Sequence, residues 1–473
     1  MTVFRLLAVS AIALVAGCTV GPDYRKPPIA VSDRWLEPAA AGEVDTRWWA
    51  SFGDATLMGL VDRALRSSPD LREAEARVAE ARANRDAAAG GRLPQVEANG
   101  SATRNVISEN GQLPVANIPG FDRSFSLYDI GFDASWEVDL WGRNRREVEA
   151  AAARGEAAEW SRRDVMVTLI AEVARNYIDF RHAQSREAIA VEELAANAEL
   201  ANLAALRFWA GEDTRQQADR AGADRATSQA ALNQARSATA AAAYRIATLV
   251  GTSPEEIVSA LRASTGPIPP PPAIIASGVR SDLLRRRPDI RRAERELAAA
   301  SAEIGVATAD LFPRFSLIGS LGQQARRPGD LLSSASTNLS IGPTFSWPIF
   351  SAGRIRAQIR GVDARASAAA ARYEKAVVGA LSDSESAANR LANAAAAADA
   401  AQEAFDEERR ALRLSSLRFA RGEDDRLTLE RSRLRLAQAE RRQKDALAAY
   451  SNAAVALNKS LGGGWDPMPD ASE

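Results

Sequence analysis

Two hydrophobic periods divide this chain. From Tyr128 to Trp136 every second residue is apolar: Tyr128, Ile130, Phe132, Ala134 and Trp136, with Asp129, Gly131, Asp133 and Ser135 between them. From Asn338 to Trp347 the pattern returns, with Leu339, Ile341, Pro343, Phe345 and Trp347 set against Asn338, Ser340, Gly342, Thr344 and Ser346. Strict alternation predicts strands with one wet and one apolar face. Val96 to Val106 and Arg314 to Gln323 read as weaker partners, giving hairpins over about 95–136 and 314–347. Elsewhere the period is helical. Arg143–Trp209 and Arg354–Ala420 each run 67 residues without proline. At 1.5 Å per residue each helix would be about 100 Å long, and flanking helices of about 35 residues would be about half that. Met166, Leu169, Val173, Tyr177 and Phe180 follow a heptad spacing, as do Leu447, Tyr450, Ala454, Leu457 and Leu461.

The chain contains itself twice. Ser68-Pro69-Asp70-Leu71-Arg72 recurs as Arg287-Pro288-Asp289-Ile290-Arg291, an offset of 219. Trp136, Gly142 and Arg143 recur as Trp347, Gly353 and Arg354, and Arg207-Phe208…Gly211-Glu212-Asp213 as Arg418-Phe419…Gly422-Glu423-Asp424, both offset by 211. The change of offset places one length difference between Pro94 and Trp136, in the hairpin loop. The expected organisation is a leader (1–17), an extended N-terminal segment (18–54), repeat 1 (55–251), a stiff Pro-rich linker (252–280), repeat 2 (281–462) and a tail (463–473).

Strands of this length, with small polar residues on one face, suit a membrane β-barrel. The alternative is a pair of surface hairpins on a soluble protein. Four strands cannot close a barrel, for which about eight is the minimum. Three chains would supply twelve, so the barrel reading implies a homotrimer.

Composition narrows the chemistry. The 473 residues include 60 basic and 61 acidic side chains, for a net charge of -1, which argues against a nucleic-acid binder. A single His (His182) and a single Cys (Cys18) leave no material for a His-based metal site, a Ser–His–Asp triad or a disulfide framework. No catalytic or metal site and no cofactor is expected. Gly462-Gly463-Gly464 reads as a helix stop, because no Lys-Ser/Thr follows to make a phosphate loop.

The N-terminus reads as an address. Arg5 precedes a short apolar run, Leu6 to Ala16, that ends Val15-Ala16-Gly17-Cys18. Small residues before the lone cysteine resemble a bacterial lipoprotein cleavage site, so Cys18 is expected to carry a diacylglycerol and an N-acyl chain. Thr19 in the next position is compatible with the outer membrane.

Longer strings carry a family likeness. They are Phe132-Asp133-Ala134-Ser135-Trp136-Glu137-Val138-Asp139-Leu140-Trp141-Gly142-Arg143, Asp282-Leu283-Leu284-Arg285-Arg286-Arg287-Pro288-Asp289-Ile290, Trp347-Pro348-Ile349-Phe350-Ser351-Ala352-Gly353-Arg354, Cys18-Thr19-Val20-Gly21-Pro22-Asp23-Tyr24 and Trp48-Trp49-Ala50-Ser51-Phe52-Gly53-Asp54. Together they resemble the TolC-like outer-membrane efflux proteins, NodT-type lipoprotein branch, from Cys18 to about Leu461. The resemblance implies a mainly α chain with a membrane β-barrel portion. Three copies would build a channel-tunnel, with four strands each in a 12-stranded barrel above a long α-helical barrel. It also implies a periplasmic adaptor and a proton-driven inner-membrane pump as partners, a place in the outer membrane, and no enzymatic activity.

A duct of this kind needs a gate at its periplasmic end, and the two Gly-Glu-Asp breaks should mark that end. Gly211 and Gly422 can stop a helix in the left-handed conformation, and Asp213 or Asp424 can cap the next one. Glu423, Asp424 and Asp425, repeated around a three-fold axis, would form an acidic ring that attracts cations. In the lipoprotein branch an acid matching Asp424 contributes to the constriction; Leu427 and Leu429 fit the pattern, while Arg431 departs from it. Trp136 and Trp347 stand at strand ends, either as membrane-interface aromatics or as packing residues between strands and helices. His182 reads as structural. The competing reading is a lipid-anchored periplasmic coiled-coil adaptor or structural protein without a pore.

Overall fold

Prolines, caps and chain reversals set the limits of each element. In chain order these are α1 (Ala55–Ser67), α2 (Pro69–Gly90), β1 (Gln95–Val106), β2 (Ser124–Val138), α3 (Arg143–Trp209), α4 (Arg215–Val250), α5 (Pro254–Ala263), α6 (Pro288–Ala309), β3 (Arg314–Ala325), β4 (Thr337–Ser346), α7 (Arg354–Ala420) and α8 (Arg426–Ser460). A short turn, Leu283–Arg286, precedes α6. The computed structural model describes residues 19–37, 40–108 and 122–465; the leader and Cys18 lie outside them. α2 and α6 each begin on the proline of the repeated motif, where a missing N–H costs nothing. α3 and α7 span the two 67-residue runs that the sequence marks.

The described residues form two compact units. One holds residues 19–27, 78–157 and 293–373, the other 28–77, 158–292 and 374–465. In the first, four antiparallel strands make one sheet in the order β1-β2-β3-β4. The two hairpins join through β2 and β3, where Gly131 lies opposite Gly322. A Cβ on Gly131 would stand 2.8 Å from the Leu321 carbonyl oxygen, so the close approach requires glycine. The register aligns Glu97, Asp133, Ser320 and Ser340 in one polar row. The neighbouring row, on the opposite face, is Ala98, Phe132, Leu321 and Leu339. Phe132, Leu321 and Leu339 are 58%, 52% and 69% exposed.

The same unit holds down the residues that follow Cys18. Arg146 is buried, and its guanidinium donates to Asp23 (2.6 Å), Glu149 (2.7 Å) and the carbonyls of Val20 and Gly21. The Val20 amide donates to the Trp141 carbonyl at 3.0 Å. Trp141 stacks on Phe312 and donates its indole N–H to the Pro313 carbonyl at 2.8 Å.

The second unit contains the main hydrophobic cluster. Trp48, Trp49 and Phe52 pack with Leu57 and Val61 of α1, Val173, Tyr177 and Phe180 of α3, Ile246 and Val250 of α4, and Val455 of α8. Asp54 caps α1 through the Leu57 amide (2.9 Å) and also accepts from the Tyr177 hydroxyl (2.9 Å). That hydroxyl in turn accepts from Nε of buried Arg181 (2.9 Å). Burial, above all, raises the Tyr177 pKa, so the hydroxyl stays protonated and can donate.

Helices of the second unit are bridged in a row. α4 meets α3 through Ser228 and Asn197 (2.7 Å) and through Arg245 and Asn176 (3.1 Å). α3 meets α8 at four levels: Asp179 with Asn452, His182 and Arg186 with Asp445, Glu193 with Arg441, and Glu199 with Arg426. α8 meets α7 through Gln443 and Gln402 (3.0 Å). His182 thus serves the α3–α8 seam, its Nε2 2.7 Å from Asp445.

Tyr177→Phe leaves Arg181 and Asp54 each short of a partner in a buried setting. It should cost about 1–3 kcal/mol, read as a lower thermal or denaturant midpoint. Arg146→Ala should release residues 19–24, seen as new protease cleavage ahead of Pro27 with the helices intact.

Candidate functional site

The two Gly-Glu-Asp breaks are helix reversals of one design. Gly211 and Gly422 adopt φ of 76° and 73°. The Glu212 amide donates back to the Arg207 carbonyl, and the Glu423 amide to the Arg418 carbonyl, both at 2.9 Å. This is a Schellman closure, which the left-handed glycine makes possible.

The caps fall one residue beyond those expected. Thr214, not Asp213, caps α4, accepting from the Gln217 amide. Asp425, not Asp424, caps α8, accepting from the Thr428 amide at 2.7 Å. The Schellman closure takes up the glutamate, and one extended residue must follow before the next helix can start. Thr214…Gln217 has the spacing of a capping box and was the available signal. The hydrogen bonds from Thr428 hold the Asp425 carboxyl below the usual carboxylate range, with Arg207 and Arg431 adding to the effect.

The acids that do not cap are paired. Arg207 lies 3.9 Å from both Glu212 and Asp213. Arg418 lies 3.8 Å from Glu423 and 3.1 Å from Asp424. Sequence reasoning missed these arginines as partners, although the repeat displays them at the same offset of 211. Asp424 is half-buried beside Arg418, Glu423 is exposed, and Leu429 is buried under the turn. The second tip is the more polar. Trp209 is 81% exposed in the first, and Ala420 stands at the matching position of the second.

Trp136 and Trp347 do equivalent work in the two repeats. Each donates its indole N–H at 3.0 Å to a carbonyl in the turn after a helix, Arg92 and Leu311 respectively, two residues before Pro94 and Pro313. Each therefore ties a strand end to the turn between helix and strand. Both keep exposed ring surface. Cys18 lies outside the described residues.

The tips and the sheet supply charge and surface rather than a reaction centre. A family model described as outer membrane efflux protein matches residues 60–252 and 279–463. The pyoverdine export outer membrane protein OpmQ of Pseudomonas aeruginosa is 30% identical over 98% of each chain. The solved outer-membrane channel OprN is 38% identical with a TM-score of 0.83, covering 95% of this chain and 100% of that one. The open-state channel MtrE of Neisseria gonorrhoeae is 28% identical with a TM-score of 0.81, covering 94% and 98%. These likenesses run through both hairpins and both long helices, which a pore-less coiled-coil adaptor would not need. The chain belongs to the outer membrane efflux protein family and is the outer-membrane channel component of an efflux system, a transport duct and not an enzyme.

Proposed function

We propose that three copies of this chain close into a gated duct across the outer membrane and periplasm. The observation that carries this reading is the open four-stranded sheet with its exposed apolar face. Hydrocarbon cannot satisfy the outer edges of β1 and β4, so they must pair with other copies, and twelve strands suffice to close. A periplasmic adaptor and a proton-driven inner-membrane pump would supply the energy, and small molecules would pass down the water-filled interior by diffusion.

Cys18 would carry the diacylglycerol and the N-acyl chain. Arg146 supports this role, because it fixes the residues just behind Cys18 against the start of α3. Two or more acyl chains give stable anchorage.

Asp424 and Glu423 would line the closed periplasmic aperture, held there by Arg418. Asp425 would add charge from its capping position. The two roles separate by mutation. Asp425→Ala should cost about 1 kcal/mol through loss of the α8 cap, read as a lower melting midpoint. Because that carboxyl's pKa is depressed, its contribution is present at neutral pH and disappears as pH falls through the folded-state value.

Single-channel conductance in planar bilayers tests the duct and the gate together. The purified protein should show a small cation-selective conductance that grows in Asp424→Ala. Silence from a preparation shown to insert would refute the duct, and unchanged conductance and selectivity in the variant would refute the gate.

A further inference from the structure

The apolar face of the sheet carries a single charge, Arg104. Alternation along β1 puts it in line with Val96, Ala98 and Ala102, and the other described strand residues on that face are uncharged. The carboxylates Glu97, Asp129, Asp133 and Glu137 all stand on the opposite, polar face. Arg104 therefore does not balance the acids of the wall. It is exposed, and its guanidinium donates at 2.8 Å to the hydroxyl of Ser124, which shares its face. Among the described residues it forms no ion pair. The Asp122 carboxylate, two residues before Ser124, accepts from the Ser124 amide at 3.0 Å.

The rows of the sheet give the height at which Arg104 stands. All four helices that adjoin the strands enter at one end, beside Gln95, Val138, Arg314 and Ser346. No described helix is long and apolar enough to cross a membrane, so that end faces the periplasm and the hairpin turns face outward. The apolar face begins at the helix end with the row Val138, Phe315 and Phe345, with Trp136 in the row above it. It closes at the outer end with Ala102, Tyr128 and Ala325. The one polar pair between these limits satisfies itself, Gln323 donating to the Thr337 hydroxyl at 3.2 Å. From Val138 to Tyr128 is about 33 Å along the strand, or about 25 Å of bilayer at a tilt of about 40°. That is the hydrocarbon height of an outer-membrane barrel, with aromatic side chains at both limits. Arg104 lies two residues beyond the upper limit, about 5 Å higher, where lipid headgroups begin.

We infer that Arg104 binds the phosphate of an anionic lipid in the outer leaflet, one lipid on each copy. The inference rests on the closed barrel proposed above, which turns this face to lipid. A guanidinium offers two parallel N–H groups to a phosphate, and its weak hydration suits a site at the edge of hydrocarbon. Ser124 holds the side chain on the lipid face, and the apolar row below it takes the acyl chains.

Native mass spectrometry of the intact purified protein tests this, with phosphatidic acid and diacylglycerol of identical acyl chains as probes. The protein should retain phosphatidic acid in preference to diacylglycerol. Arg104→Gln should lower the retained phosphatidic acid several-fold, and Arg327→Gln, at the exposed outer turn, should leave it unchanged. Equal retention by the original protein and Arg104→Gln would overturn the site. So would an equal loss in Arg327→Gln, which would mean diffuse attraction to the rim. Insertion into vesicles separates this from the assembly: a protein that inserts but retains both lipids equally sinks the Arg104 site alone, whereas one that does not insert sinks the barrel.

Discussion

A sheet that faces hydrocarbon must pair every backbone group, and four strands cannot do that alone. The rest of the architecture follows from this constraint. The apolar row through Phe132, Leu321 and Leu339 is stable only against lipid, and the polar row through Glu97, Asp133 and Ser320 only against water. Both conditions hold together in a closed wall with an aqueous interior. The glycine pair Gly131 and Gly322 lets the two hairpins of one chain meet in a single sheet, so each chain contributes a continuous arc of wall.

Duplication builds long elements cheaply in sequence terms, and then divergence gives the copies separate work. Trp136 and Trp347 make the same bond, and Gly211 and Gly422 the same turn. The helix faces differ: charged partners bridge α3 to α8, whereas the residues at the matching positions of α7 and α4 are alanine, asparagine, glutamine or arginine.

The acidic tip combines structure and charge in adjacent residues. Asp425 is committed to the start of α8, and Asp424 and Glu423 are held by Arg418. The carboxylates that would meet passing ions are therefore positioned by a salt bridge, and the helix cap beneath them keeps the turn in one conformation.

Local rules were enough to find the elements. The 67-residue helices could be bounded because proline is absent within them and Gly-Glu-Asp follows each. The strands were legible from a period of two. The caps were misplaced by one residue because Thr214 and Asp213, or Asp424 and Asp425, are all competent caps, and only the backbone turn chooses between them. What folding alone decided are the contacts across long separations: Tyr177 with Asp54 and Arg146 with Asp23, each 123 residues apart, and the charged rungs between α3 and α8. Periodicity and capping act over a few residues, so the sequence could determine where each helix and strand lies. Which arginine meets which acid depends on how distant segments pack, and no local pattern encodes that.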